Sequence, residues 1–344
     1  MSHLRVILTT AMSVWLLGSG VLCLPAAARD TRLVLHPQKA PAEVGKFSLL
    51  PPEASLIDGD AVPLYEKAIK ALPDEAGDAQ IREWLKMPID QLPLDQVEQV
   101  LQQHMESLKG VAKAAKCRQC NWPEREPGTV MADLSAYRRL GSVVRLWARL
   151  EIADDGYEGV ILAMQTGFGM ARHVGQAPTI MQVMVAIGNG AGLCVEVEEF
   201  VQREEAPNLN LALAVLPRPF MDIEKVIEED RKRALAEWQG KLSNDQIESE
   251  LKKTHDQIRL VAKGFDAQLA ALQCVEAIRA YAAVHDGQLP TALTDITEGS
   301  VPQDPMSGEA FRYSRIGSTA VLESFVPPGV SERRGTRYEV SIKN

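Results

Sequence analysis

Aromatic residues are scarce in this chain, at 5%, so its core must be packed mainly from aliphatic side chains. Ala, Leu, Glu and Gln are plentiful, a mix that favours helices. The six histidines are scattered. None forms a His-x-x-x-His pair, and none lies near a Cys pair at zinc spacing, so no metal site is expected. His173 and His285 are the two worth weighing as ligands, and a satisfied or solvated imidazole is the simpler account of each. There is no Gly-x-Ser-x-Gly elbow. "GFGMA" from Gly167 and "GNGAG" from Gly188 follow no strand and lead to no Lys-Ser/Thr pair, so they read as points of close helix approach. Glu198-Glu199 and Glu228-Glu229-Asp230 are adjacent along the chain, so on a helix their side chains diverge. No catalytic constellation emerges, and no cofactor is implied.

Positive charge is also short. The formal charge is −9. An acidic surface repels phosphates, which argues against nucleic acid and anionic membrane as partners. Long uncharged runs are few. The first, "VILTTAMSVWLLGSGVLCL" after Arg5, reads as the core of a secretory signal peptide with a cut after Ala28. Its loss would remove one further positive charge. An uncleaved anchor helix is the alternative, since the run is near the roughly 20 residues needed to span a bilayer. Leu22 before Cys23 argues against a lipoprotein signal. The second run lies between His173 and Glu196 and reads as a buried central helix, interrupted by Pro178, Gln182 and a Gly/Asn cluster. On this reading the protein is periplasmic or secreted, with no stable membrane span once the signal is removed.

What is present is helical period. Residues 29–60 hold Pro37, Pro41, Pro51 and Pro52 and read as an extended leader. Asp60 is placed to cap "AVPLYEKAIKALP". A short helix is expected around "AQIREWLKM", then one helix over "LDQVEQVLQQHMESLKGVAKAAK". "MADLSAYRRLGSVVRLWARLEIA" and "EGVILAMQTGFGMARHVG" flank a tight "DDGY" turn. Residues 222–264 read as exposed amphipathic helices broken at Gly240 and Ser243-Asn244. A last helix from Phe265 ends at Gly287. Three short alternating segments, "FRYSRIG", "TAVLESF" and "TRYEVSI", suggest a small antiparallel sheet. The fold class is therefore mainly α: irregular stacked αα-hairpins over 61–261, then a small α+β unit over 262–344.

Two resemblances sharpen this. The apolar spacing before "DDGY", with Gly156-Tyr157-Glu158 opening the next helix, resembles a tetratricopeptide-type hairpin, and "YEKAIKALP" resembles the closing half of another. No fixed repeat period accompanies them. Tyr281, Gly287, Pro290, Leu293, Asp304-Pro305, Gly308, Phe311 and Tyr313 make the tail similar to the soluble C-terminal module of type II secretion pseudopilins. That resemblance implies a helix packed on a small sheet. The chain lacks the processed, very apolar start of those proteins, which argues against a filament subunit. Its last loop, "VPPGVSERRG", has one acid, Glu332, too few for a calcium site. The whole layout resembles secreted bacterial proteins.

Four cysteines follow the leader: Cys117, Cys120, Cys194 and Cys274. An oxidising compartment permits a disulfide, with Cys117 and Cys120 the candidate pair and Cys194 or Cys274 as other partners. Redox catalysis is disfavoured, because the Cys-x-x-Cys pair follows a helix, where the dipole raises thiol pKa. We therefore expect a non-enzymatic interaction or scaffold protein with a protein or peptide partner. The alternatives are an accessory part of a secretion apparatus, or a secreted enzyme with dispersed residues.

Overall fold

The computed structural model describes residues 30–43, 45–123, 134–331 and 335–343. The expected signal peptide at 1–28, with Cys23, and Glu332 of the last loop lie outside them. Among the described residues the fold is mainly α, with ten helices, a four-stranded sheet and a two-stranded ladder.

The helical part begins where expected. Helix α1 (Ala61–Lys70) is capped by Asp60, whose carboxylate accepts the Val62 amide at 3.1 Å. Its apolar stripe of Ala61, Val62, Tyr65 and Ala68 turns inward. Helix α2 (Asp78–Trp84) follows. The stretch expected as one helix from Leu94 is two, α3 (Leu94–Gln103) and α4 (Met105–Ala115). His104 breaks it. Its amide bonds to the Leu101 carbonyl, while its imidazole Nδ1 reaches the Val100 carbonyl at 2.8 Å. The side chain thus takes the acceptor that the helix ladder would have given to the His104 amide.

Helices α5 (Leu134–Ala153) and α6 (Tyr157–Val174) pack together across the turn at Asp155, which takes a positive φ of 53°. Helix α7 (Ile180–Phe200) lies against both. It is long and apolar enough to cross a membrane, yet 67% of its most apolar window is buried inside the fold. Close approach depends on missing side chains. A Cβ on Gly190 would come within 2.5 Å of the Phe265 ring, and one on Gly167 equally near Leu193.

After the short α8 (Asn210–Ala214), α9 (Ile223–Trp238) and the 39-residue α10 (Asn244–Ala282) form the exposed charged pair expected from the sequence. Gly240 takes a positive φ of 77°, and Ser243 with Gln246 closes a capping box at the start of α10. Position 262, expected as a domain boundary, falls inside this continuous helix. Beyond Phe265, α10 is buried on nearly every side.

The sheet corrects one expectation. Strands β4 (Arg312–Ile316), β5 (Thr319–Glu323) and β6 (Arg337–Ile342) run antiparallel as the tail sequence suggested. Two short strands, β2 (Ile57–Asp60) and β3 (Cys117–Gln119), pair separately. The leader, however, supplies β1 (Asp30–Leu35), which pairs parallel with β6 and makes the sheet mixed, in the order β1-β6-β5-β4. The reason is burial at a two-residue period. Leu33 and Leu35 are fully buried and complete the inner face formed by Ala320, Leu322, Tyr338 and Val340. Past β1 the chain is tied to α10: Arg279 Nε donates to the His36 carbonyl at 2.8 Å, and Nη2 to the Ala206 carbonyl at 2.6 Å.

Candidate functional site

Three acids close together on the last turns of α7 go three ways, and this divergence organises the site. Glu196, fully buried, sits between two arginines of α5. Arg145 Nη2 lies 2.7 Å from its Oε1, and Arg149 Nη1 lies 3.1 Å from its Oε2. Arg149 and Arg145 are four residues apart, so both guanidinium groups leave the helix on one face. Glu198 points to the sheet. The Tyr338 hydroxyl of β6 donates to its Oε1 at 2.7 Å. Burial raises the Glu198 carboxyl to about 7, against the lowering effect of that hydrogen bond. Glu199 is half-buried, and burial raises its carboxyl while Arg149 opposes the shift.

Glu199 lines a cleft of about 420 Å³. One wall is the end of β1 at Val34 and His36. The opposite wall is the turn of 85–90, and the third is the end of α7 with Gln202 and Arg203. Arg149 also lines it. This residue is 1% exposed, its Nη2 donates to the Met87 carbonyl, and its Nε has no hydrogen-bond partner among the described residues. A buried donor of this kind is costly unless something else supplies an acceptor.

The lining is cationic on an acidic chain. Lys86, Arg149, Arg203 and Lys343 line it together with Asp90 and Glu199, and Lys86 pairs with Glu83 at 3.0 Å. Arg203 is held by Asp90 at 3.1 Å and Asp155 at 3.2 Å. Lys343 stands exposed at the rim; burial lowers the pKa of His36, and the charge of Lys343 lowers it further. Chemically, the cleft presents donors and positive charge beside the carboxyls of Asp90 and Glu199 and the imidazole of His36.

The residues singled out in the sequence lie elsewhere. Cys117 and Cys120 are free thiols, as are Cys194 and Cys274. Cys117 Sγ faces the Lys113 carbonyl at 3.8 Å, and Cys120 Sγ faces the His173 carbonyl at 3.7 Å. Desolvation raises both thiols, Cys120 to about 12, so neither is a thiolate at neutral pH. The His173 carbonyl also accepts from Trp122 Nε1 at 2.8 Å, and its Nδ1 lies 2.9 Å from the Tyr65 hydroxyl. His285 stacks on Tyr281, with 3.8 Å between ring centroids, and sits 3.1 Å from Glu298. Among the described residues no group of three or more His, Cys, Asp or Glu side chains is arranged to hold a metal.

Comparison with known protein families, with curated proteins and with solved structures finds no match.

The cleft residues were missed from sequence, although one signal was available. "VVRLWARL" places Arg145 and Arg149 at helical spacing inside an apolar run, and "LCVEVEEF" ends another apolar run in acids. Charges embedded in two such runs must be paired if both helices are buried. The contributions of Val34 and Lys343 had no local signal, because they reach the site only through the pairing of β1 with β6.

Proposed function

We propose that this protein is a non-enzymatic binding protein, exported through its N-terminal leader, that holds an acidic segment of a partner protein in the cleft beside β1. One observation carries the reading: on a chain of formal charge −9, four cationic side chains line the cleft against two acidic ones. Carboxylate side chains match that chemistry, and guanidinium groups favour them through paired hydrogen bonds. The cleft volume is within the range of ligand sites, about 300–1,000 Å³.

The test is equilibrium binding of a fluorescein-labelled decapeptide of alternating Glu and Thr, against its Lys/Thr counterpart. The acidic probe is expected to bind, more weakly as salt rises. Lys343→Gln is expected to weaken it about tenfold, the equivalent of 1.4 kcal/mol. Equal binding of the basic probe, or none of the acidic one at millimolar concentration, would refute the proposal.

A further inference from the structure

We infer that the acidic segment binds as an added strand on the open edge of β1, extending the four-stranded sheet to five; this rests on the reading of the cleft given above. Strand β1 ends the sheet on one side. Its backbone orientation follows from two bonds. Lys343 donates its amide to the Leu35 carbonyl at 2.9 Å, so Leu35 faces β6. Val34 donates its amide away from the sheet, to Gln202 Oε1 at 3.1 Å. In a strand paired parallel on one side, alternate residues present their N–H and C=O to opposite edges. Arg32 and Val34 therefore carry the outward groups.

The Gln202 contact shows what that edge accepts. A side-chain amide from the turn after α7 places its carbonyl oxygen where the carbonyl of a neighbouring strand would stand. Gln202 Nε2 in turn donates to the Glu198 carbonyl at 2.9 Å. An incoming strand would exchange one amide carbonyl for another at Val34, which is close to neutral in energy, and would add new bonds at Arg32. Strands lie about 4.8 Å apart, and on this side of Val34 that position opens into the cleft, since Val34 and Gln202 both line it. The Val34 side chain is 46% exposed and would gain a cross-strand neighbour.

The edge is short. At His36 the carbonyl is taken by Arg279 and the chain leaves the sheet. Main-chain bonds alone are therefore few, and charge must contribute to recognition. Lys343 sits beyond the end of β6, and Arg32 projects from β1 with its side chain 80% exposed, in a loose pair with Glu339 at 3.5 Å. This charge favours an acidic partner over a second copy of the chain, because two β1 edges brought together would oppose Arg32 and Lys343 with their like. The other sheet edge, β4, lies three strands away from the cleft.

The experiment uses the full chain and two forms of the Glu/Thr decapeptide, one unmodified and one N-methylated through its six central residues. The methylated form keeps every carboxylate but offers no amide hydrogen there and blocks close approach of a strand. Strand addition predicts at least a tenfold weaker affinity for it, and amide exchange at Arg32 slowed at least fivefold by the unmodified probe. If both forms bind within twofold while still requiring Lys343, or if Arg32 exchange is unchanged at saturation, strand addition is wrong and only the charge-based reading survives. Failure of both forms to bind defeats the underlying reading itself.

Discussion

Glu198 carries the clearest pH dependence at the residue scale. Its pKa in the folded chain is raised from 4.5 to about 7. The folded state therefore holds a proton that the unfolded chain has released between those values. Stability from this group is present at low pH and falls as pH rises from 4.5 through 7, by on the order of 3 kcal/mol in total. His173 works the other way. Burial lowers its pKa from 6.5 to about 4, so stability is lost as pH falls through that window. The two slopes oppose each other between 4.5 and 6.5. Glu198→Gln keeps an acceptor for the Tyr338 hydroxyl and removes one slope. Urea unfolding at a series of pH values should show the variant gaining on the parent steadily from pH 4.5 to 7. Parallel curves would mean that Glu198 does not titrate in this window.

Element by element, the sequence was most legible where a local rule had no competitor. Asp60 caps a helix, and Gly240 with Ser243-Asn244 marks the break between two, because each position needs only its own neighbours. Gly287, with a positive φ of 74°, closes the end of α10 by donating its amide to the Ala282 carbonyl at 3.0 Å. The break at His104 was not legible. Nothing in "QQHMES" marks the imidazole as the group that takes the Val100 carbonyl. Helix α7 offers a test of what packing demands within one element. Beside Gly188 there is open space, whereas a Cβ on Gly190 meets Phe265, itself packed edge-on to Phe220 with ring centroids 5.4 Å apart. Gly188→Ala should stabilise by up to about 1 kcal/mol through helix propensity. Gly190→Ala should destabilise by about 1–3 kcal/mol through overpacking. The shift of the urea midpoint decides each, and equal shifts would mean that α7 does not approach Phe265 this closely.

For the whole molecule, the tail is not a self-contained unit. A fragment of 262–344 begins inside α10 and lacks Leu33 and Leu35, so one edge of its inner sheet face is uncovered. It should be poorly folded and melt without cooperativity by circular dichroism; a sharp transition would show that β1 is dispensable. The sequence could not show this dependence. Alternation in "TRLVLH" is short and is followed by prolines, and its partner "TRYEVSI" lies at the other end of the chain. The candidate site was hidden for the same reason, since Val34 and Lys343 become neighbours only when those ends meet. The pairing Asp30↔Arg337 spans some three hundred positions. A ribosome makes β1 some three hundred residues before β6, so through that interval the two buried leucines of β1 have no sheet to join. Completion of the core must wait for β6, and a loop closure this long is slow. The nascent chain therefore keeps an apolar strand uncovered until β6 has been made.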